Sequence, residues 1–178
     1  MMSRGGSALS LLLLVLADIE PTTPAEGRRV AAQVVHVSDG DTLVARLAEL
    51  RSGLKKEETV RLVGLDCPET GQAPWGFRAT AMLRRLVRGR PVILEVGVQP
   101  RDSHGRLLAG VYLSDGKTLV QERLVREGLC QPLVIQPNVD YVEQLHAAKA
   151  EAQRAERGIW ARTDGLTENP GDYRRRHR

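Results

Sequence analysis

Two carboxylates and an arginine surround the end of one strand-like segment of the sequence. Arg61 lies in an apolar, β-branched stretch that ends at Asp66, and Glu69 follows after one cysteine and one proline. A carboxylate binds a cation or accepts a proton from water, and the planar guanidinium of arginine matches two phosphate oxygens. These residue types, so close together, indicate chemistry on a phosphate ester.

Two other segments contribute residues of the same types. SDGDT places Asp41 at the start of another strand, where it would meet Asp66 across the end of a barrel, and DSHGR ends in Arg106. Two carboxylates with no histidine or cysteine pair beside them form a hard oxygen site, which suits Ca²⁺ rather than Zn²⁺. With one acid to activate or orient water and two arginines to bind an oxyanion, the set favours phosphoryl transfer.

Each of these residues also has a structural interpretation when it is taken alone. The aspartates of SDGDT are typical of a hairpin turn in which side chains cap backbone amides. Glu69 fits a solvated loop, and each arginine fits an exposed strand or turn, where Asp102 would bind the backbone or the guanidinium of Arg106. Only their joint occurrence favours catalysis.

The apolar pattern predicts an α+β domain with a five-stranded barrel of the oligonucleotide/oligosaccharide-binding (OB-fold) type and three α-helices. The predicted strands are two within 30–47, separated by a turn at 38–40, and then 59–66, 91–98 and 107–113. The predicted helices are 76–89, with Phe77, Ala81, Leu83 and Leu86 on its apolar side, 118–128 and 137–158.

Four parts are predicted along the chain. Residues 1–17 have the pattern of a signal peptide, because Arg4 precedes a ten-residue apolar run that ends at Ala17, although an apolar helix at a membrane surface is the alternative. Residues 18–29 are a linker, 30–161 the domain, and 162–178 a basic tail expected to be disordered. We therefore expect a secreted, periplasmic or cell-envelope protein, anchored to the membrane if the leader is retained.

Composition restricts the possible partners and sites. The net charge of +4 favours a polyanionic partner, whereas an aromatic content of 3% argues against a surface built from many base-stacking rings. The four histidines are scattered without zinc spacing. Cys67 and Cys130 are either one disulfide or two separate buried thiols, and the sequence leaves both open.

The segments SDGDT, VRLVGLDCPET, DSHGR, LVREGL and ERGIW occur in the order seen in the thermonuclease (staphylococcal-nuclease-like) family, which the chain resembles from about residue 30 to 161. The resemblance implies a five-stranded OB-fold barrel with three helices and Ca²⁺-dependent hydrolysis of DNA and RNA, with 5′ P–O cleavage that leaves 3′-phosphate ends. It implies the Ca²⁺ ligands Asp41, Asp66 and the backbone carbonyl of Cys67, and the catalytic residues Arg61, Glu69 and Arg106.

The sequence also departs from that family. His104 stands where the well-known member has a tyrosine, and PLVIQPN lacks the tyrosines that line its nucleotide pocket. Because base stacking contributes about 1–3 kcal/mol per base, we expect substrate affinity to be lower or differently distributed. The alternative function is a non-catalytic OB-fold module that binds nucleic acid or a protein. We expect DNA and RNA as substrates, no obligate protein partner, a monomer, and membrane contact only with an uncleaved leader.

Overall fold

The computed structural model describes residues 28–177. The strands are β1 (Arg29–Val37), β2 (Thr42–Leu47), β3 (Glu57–Leu62), β4 (Leu65–Asp66), β5 (Pro91–Arg101), β6 (Leu107–Leu113) and β7 (Gln131–Pro132). The helices are α1 (Trp75–Val87), α2 (Val120–Arg126), α3 (Val142–Arg154) and α4 (Pro170–Arg176), with a 3-10 turn at Gly158–Trp160.

Five of the strands close into a barrel in the order β1-β2-β3-β6-β5, and β5 returns to β1. The β3–β6 pair is parallel and the other pairs are antiparallel. Inward-facing residues such as Leu43, Val60, Leu94 and Val111 fill the barrel with apolar side chains, as alternation along half-buried strands requires. The predicted five-stranded α+β barrel is therefore confirmed.

The third predicted strand, 59–66, differs from the structure. It is divided into β3 and β4 because Gly64, with a φ of 82°, turns the chain between them. A left-handed backbone of this kind is readily adopted only by glycine. β4 pairs with β7 in a separate two-stranded sheet, so Asp66 leaves the barrel wall and reaches the barrel end.

The predicted apolar side of the first helix is wrong at two positions. Phe77 and Ala81 are exposed, and the buried side of α1 is formed by Trp75, Ala79, Leu83 and neighbouring residues. These positions are four residues apart, so they share one helix face. The error followed from assigning the single phenylalanine of the chain to the core.

The two cysteines form a disulfide, which resolves the alternatives that the sequence leaves open. Cys67 directly follows β4 and Cys130 directly precedes β7. The bond thus joins the two strands of the small sheet beside Asp66.

The basic tail contains an ordered element, whereas the sequence predicts disorder after residue 161. Asn169 caps α4 by accepting hydrogen bonds from the amides of Gly171 and Asp172, and Pro170 occupies the first helical position. Both are favourable helix-starting features. Residues 170–176 are thus helical despite their run of arginines.

The predicted signal peptide, 1–17, and all but the last two residues of the predicted linker lie outside the described residues. Within residues 28–177, no helix combines the length and apolar character needed to cross a bilayer.

Candidate active site

The predicted site residues meet at one end of the barrel. A cleft of about 680 Å³ is lined by Asp41, Arg61, Glu69 and Arg106, among other residues. Asp66, whose side chain is only 4% exposed, binds Arg61 at this cleft. Residues that are up to 65 positions apart in the sequence, from 41 to 106, therefore share one site.

Arg61 lies between the two aspartates. Its Nη1 is 3.0 Å from Asp41 Oδ2 and its Nη2 is 3.5 Å from Asp66 Oδ1. Strand register explains the first contact, because Thr42 pairs with Arg61 across β2 and β3. The Arg61 side chain is only 13% exposed, so it is a largely buried cation rather than the exposed strand arginine of the alternative interpretation.

Asp41 is held by several donors at the start of β2. Its Oδ2 accepts a hydrogen bond from the Cys67 amide at 3.1 Å, and its Oδ1 accepts one from the Thr42 hydroxyl at 3.1 Å. Burial raises the pKa of Asp41 to about 6, although Arg61 and the Cys67 amide act in the opposite direction. Asp39 plays the turn role instead, because its Oδ1 accepts a hydrogen bond from the Asp41 amide.

The carboxylate oxygens at this site are suitable ligands for a hard divalent cation. Asp66 Oδ1 is buried and accepts no hydrogen bond within residues 28–177, although guanidinium nitrogens of Arg61 and Arg174 lie 3.5 and 2.9 Å away. A buried anionic oxygen of this kind requires a compensating cation. Within this part of the chain, no three His, Cys, Asp or Glu side chains are grouped so that they could hold a metal ion by themselves. Further ligands would thus be backbone carbonyls, as predicted for Cys67, or water.

Arg106 is fixed by Asp102 at the entrance to β6. Its Nε donates to Asp102 Oδ2 at 2.7 Å, and its amide donates to Oδ1 at 2.9 Å, so Asp102 binds both the backbone and the guanidinium. Burial opposes the charge on Asp102, but these hydrogen bonds from Arg106 lower the pKa of the carboxyl below its usual value. Within residues 28–177, no hydrogen bond or ion pair engages the two terminal nitrogens of Arg106, which leaves a fork for an anion.

A buried acid that the sequence reasoning did not select supports this loop. Glu58 points inward from β3 with 2% exposure, and Arg101 binds its two carboxylate oxygens at 2.7 and 3.1 Å. Arg101 also donates to the carbonyls of Gly53 and Gly105, so it joins β3 to the residue before Arg106. The signal was present in EETVRL, where Glu58 alternates in phase with the buried Val60 and Leu62.

We expect Glu58→Gln to lower the free energy of unfolding by about 1–3 kcal/mol near neutral pH, because Arg101 loses its charged partner. Burial opposes the charge on Glu58, yet hydrogen bonds from Arg101 and the Lys55 amide lower its pKa overall. A carboxyl with a lowered pKa stabilises the fold above its ordinary pKa and loses that contribution as pH falls through the folded value. The difference between the wild type and the variant should therefore narrow below about pH 4.

Urea unfolding at several pH values measures this difference. Glu57→Gln is the matched control, since Glu57 is an exposed neighbour paired with Arg46 and should change the unfolding free energy by less than about 0.5 kcal/mol. Equal losses in the two variants would contradict the supporting role of Glu58.

Comparison with known proteins agrees with this geometry. The family model described as staphylococcal nuclease homologue matches residues 59–162. A thermonuclease of Staphylococcus hyicus is 34% identical over 134 residues, 72% of this chain and 75% of that protein. A thermonuclease of Staphylococcus intermedius is 30% identical over 165 residues, 87% of this chain and 94% of that protein. An uncharacterized endonuclease of Escherichia coli O157:H7 is 35% identical over 135 residues, 76% and 80% of the two chains.

This chain belongs to the staphylococcal nuclease family. Membership supports a hydrolytic endonuclease, and the staphylococcal nuclease family uses a metal ion for catalysis. The part matched by the family model contains Arg61, Asp66, Glu69 and Arg106 but begins after Asp41.

One arginine of the cleft lies beyond the residues matched by the staphylococcal nuclease family model. Arg174, in α4, binds Glu69 Oε1 through Nη1 at 2.6 Å and both oxygens of Asp66 through Nη2 at 2.9 and 3.0 Å. The sequence does not predict these contacts, because they join residues more than 100 positions apart.

Part of the cleft lining is apolar and carries no large aromatic ring. Leu133 and Ile135 contribute apolar side chains, Asn138 contributes an amide, and none of the described lining residues is Phe, Tyr or Trp. His104 also lines the cleft, with its side chain largely exposed. The expected change in substrate affinity stays a prediction.

Proposed function

We propose that the protein is a Ca²⁺-dependent endonuclease that hydrolyses the phosphodiester bonds of DNA and RNA. The observation that carries the proposal is the convergence of Asp41 and Asp66 on Arg61, in a cleft that Glu69 and Arg106 also line. A family member that retains two acids for a cation, an acid for a base and two arginines has every group that such a reaction needs.

Asp41, Asp66 and the backbone carbonyl of Cys67 would hold the Ca²⁺ ion. When bound, the ion supplies positive charge that binds a phosphate oxygen and stabilises the negative charge developing at phosphorus. The Cys67 carbonyl is restrained by the disulfide of its own residue and by the hydrogen bond from its amide to Asp41. No thiol is required at this position.

The remaining residues act on water and on the phosphate. Glu69 orients a water molecule and accepts its proton, so that the water oxygen attacks phosphorus in line with the 5′ oxygen. The free terminal nitrogens of Arg106 bind two phosphate oxygens, and Arg61 supplies a second fixed positive charge. The 5′ P–O bond breaks, the leaving 5′ oxygen takes a proton from solvent water, Glu69 returns its proton to solvent, and the other product ends in a 3′-phosphate.

The alternative is a non-catalytic OB-fold module that binds nucleic acid or a protein. Such a module has no need for two acids around a largely buried arginine, whose burial is costly without a function for it. The cleft also lacks the large aromatic side chains that a binder of single strands uses, within the described residues. Both features favour the enzyme.

Asp41→Asn should raise the Ca²⁺ concentration needed for half-maximal hydrolysis, because it removes one of two carboxylate charges from the metal site. Hydrolysis of single-stranded DNA is measured across a Ca²⁺ titration and again after a chelator is added, which should abolish it. Asp115→Asn is the control, since Asp115 is an exposed turn aspartate that accepts hydrogen bonds from the Lys117 and Thr118 amides and does not line the cleft. A shift of equal size in both variants would reduce Asp41 to a turn residue.

Residues 1–17 are proposed to direct export to the envelope or the medium. The disulfide supports this location, because disulfides persist in oxidising compartments. Mass spectrometry of the protein from its native host should find a new N-terminus near Asp18. Soluble cytoplasmic protein with an intact Met1 would contradict export.

A further inference from the structure

Arg174 engages the two acids on which the proposed reaction depends. Asp66 is a proposed metal ligand and Glu69 the proposed base, and one guanidinium binds both of them. The Arg174 guanidinium takes the position on Glu69 Oε1, at 2.6 Å, where a water molecule would otherwise donate its proton. Arg174 thus places a second guanidinium on Asp66, beside that of Arg61.

The helix that carries Arg174 is held in place by contacts of its own. Gln72 Nε2 donates to the Glu168 carbonyl at 2.8 Å, and Trp75 Nε1 donates to the Asp164 carbonyl at 3.1 Å. The Tyr173 hydroxyl lies where a Cβ at residue 71 would be, so this ring packs directly on Gly71. These contacts hold residues 164–173 against the loop that follows Glu69 and against the first residue of α1.

The positive charge of Arg174 opposes the binding of a metal ion at Asp66. A divalent cation at Asp66 and the guanidinium of Arg174 would compete for the same carboxylate and repel each other. The Arg174 side chain is 35% exposed, so it has a short path to solvent when it is displaced. Competition at one site means that removing either cation strengthens the binding of the other.

We propose that α4 is an autoinhibitory element in which Arg174 occupies the cation position on Asp66 and blocks the water-activating position on Glu69. This inference rests on the proposed nuclease function and adds its regulation. Metal binding must displace Arg174 and open α4 before the site can work, so the apparent Ca²⁺ affinity is lower than the ligands alone would give. α4 lies beyond the residues matched by the family model, 59–162.

The same position suggests a different role, in which Arg174 is a third phosphate-binding arginine. The two roles predict opposite results for Arg174→Gln. Loss of an inhibitor tightens Ca²⁺ binding and raises hydrolysis at low Ca²⁺, whereas loss of a phosphate ligand leaves Ca²⁺ binding unchanged and lowers hydrolysis at saturation.

Calorimetric titration of the full chain with Ca²⁺ alone, without nucleic acid, tests the proposal. We expect Arg174→Gln to bind Ca²⁺ at least about fivefold more tightly than the wild type, the lower end of typical coupling between competing ligands. Arg175→Gln is the matched control and should leave the affinity unchanged, because Arg175 is 73% exposed and pairs with Asp172 on its own helix. Asn169→Ala, which removes the cap of α4, should shift the affinity in the same direction as Arg174→Gln.

Hydrogen exchange provides a second readout on the wild type. The amides of residues 171–176 should exchange slowly in chelator and faster at saturating Ca²⁺. Unchanged exchange, or an Arg174→Gln variant that binds Ca²⁺ no more tightly than the wild type, overturns the autoinhibition. Hydrolysis is measured separately. If the wild type cleaves DNA and Arg174→Gln neither binds Ca²⁺ more tightly nor cleaves faster at low Ca²⁺, the autoinhibition is wrong and the nuclease proposal stands. A gain in Ca²⁺ affinity without any hydrolysis supports the competition and defeats the nuclease proposal.

Discussion

Arg61→Lys is expected to lower phosphodiester turnover by about 10²–10³-fold at saturating Ca²⁺. Lysine keeps the positive charge but loses the planar fork, and Arg61 uses both terminal nitrogens, one toward each of Asp41 and Asp66. A single ammonium cannot bind both acids and present its charge to a phosphate in the same geometry. The turnover of Arg106→Lys is expected to be reduced by a similar factor. The Nε of Arg106 donates to Asp102, so only its two terminal nitrogens remain for the anion.

Single-turnover hydrolysis of a single-stranded oligonucleotide measures the effect without interference from product release. Arg46→Lys is the control, since Arg46 is an exposed strand arginine paired with Glu57 and should leave turnover unchanged. Unfolding is measured in parallel, because Arg61 is largely buried and its loss affects the fold as well. Arg61→Lys with wild-type turnover and an intact fold would remove Arg61 from the catalytic set.

The Cys67→Ala/Cys130→Ala double variant is expected to lose about 4 kcal/mol of unfolding free energy. The disulfide closes a loop with a sequence separation of 63, and loop-closure entropy of that length gives a stabilisation of this size. Small domains have only about 5–15 kcal/mol in total, so this loss is a large fraction of it. Ca²⁺ affinity should also fall, because the residue beside Asp66 loses its restraint to β7.

Denaturant unfolding with and without a reductant provides the check. Reductant should destabilise the wild type toward the level of the double variant and have no effect on the variant itself. Alanine is chosen because both cysteines are buried in the apolar core, where serine would add the cost of a buried hydroxyl. A wild type that is unaffected by reductant under denaturing conditions would contradict the stabilising role of this bond.

Features set by local sequence were predictable. Alternation in β1, β2, β3, β5 and β6 reports which face of a strand is buried, and this pattern indicates five barrel strands. The convergence of the proposed site residues was also predictable, since each of them lies near a strand end or in a loop between strands. Strand ends at the same side of a barrel come together whatever the intervening sequence.

Features set by contacts between distant segments were not predictable. The choice between a disulfide and two thiols depends on whether β4 and β7 pair, and neither two-residue strand has a recognisable pattern. The division of the third strand depends on a single φ angle at Gly64. The orientation of α1 depends on which face the barrel offers, and apolar residues lie on more than one side of that helix.

The contacts between the C-terminal tail and the candidate active site were also not predictable from the sequence. A run of three arginines at 174–176 predicts a solvated, repelling segment, and two of them do pair with acids on or next to α4. Arg174 differs from its neighbours only because its side of α4 faces Asp66 and Glu69. Nothing within ten residues of it in the sequence indicates that direction.

Cleavage of end-labelled single-stranded DNA by the purified protein, in Ca²⁺ and then in excess chelator, tests the central proposal most directly. We expect cleavage in Ca²⁺ that leaves 3′-phosphate ends and stops when the metal is removed, and a Glu69→Gln variant that binds Ca²⁺ but cleaves at least about 10²-fold more slowly. Undiminished cleavage in chelator would contradict the metal assignment. DNA that the wild type binds but leaves intact at saturating Ca²⁺ would contradict the nuclease itself and leave the binding module as the function.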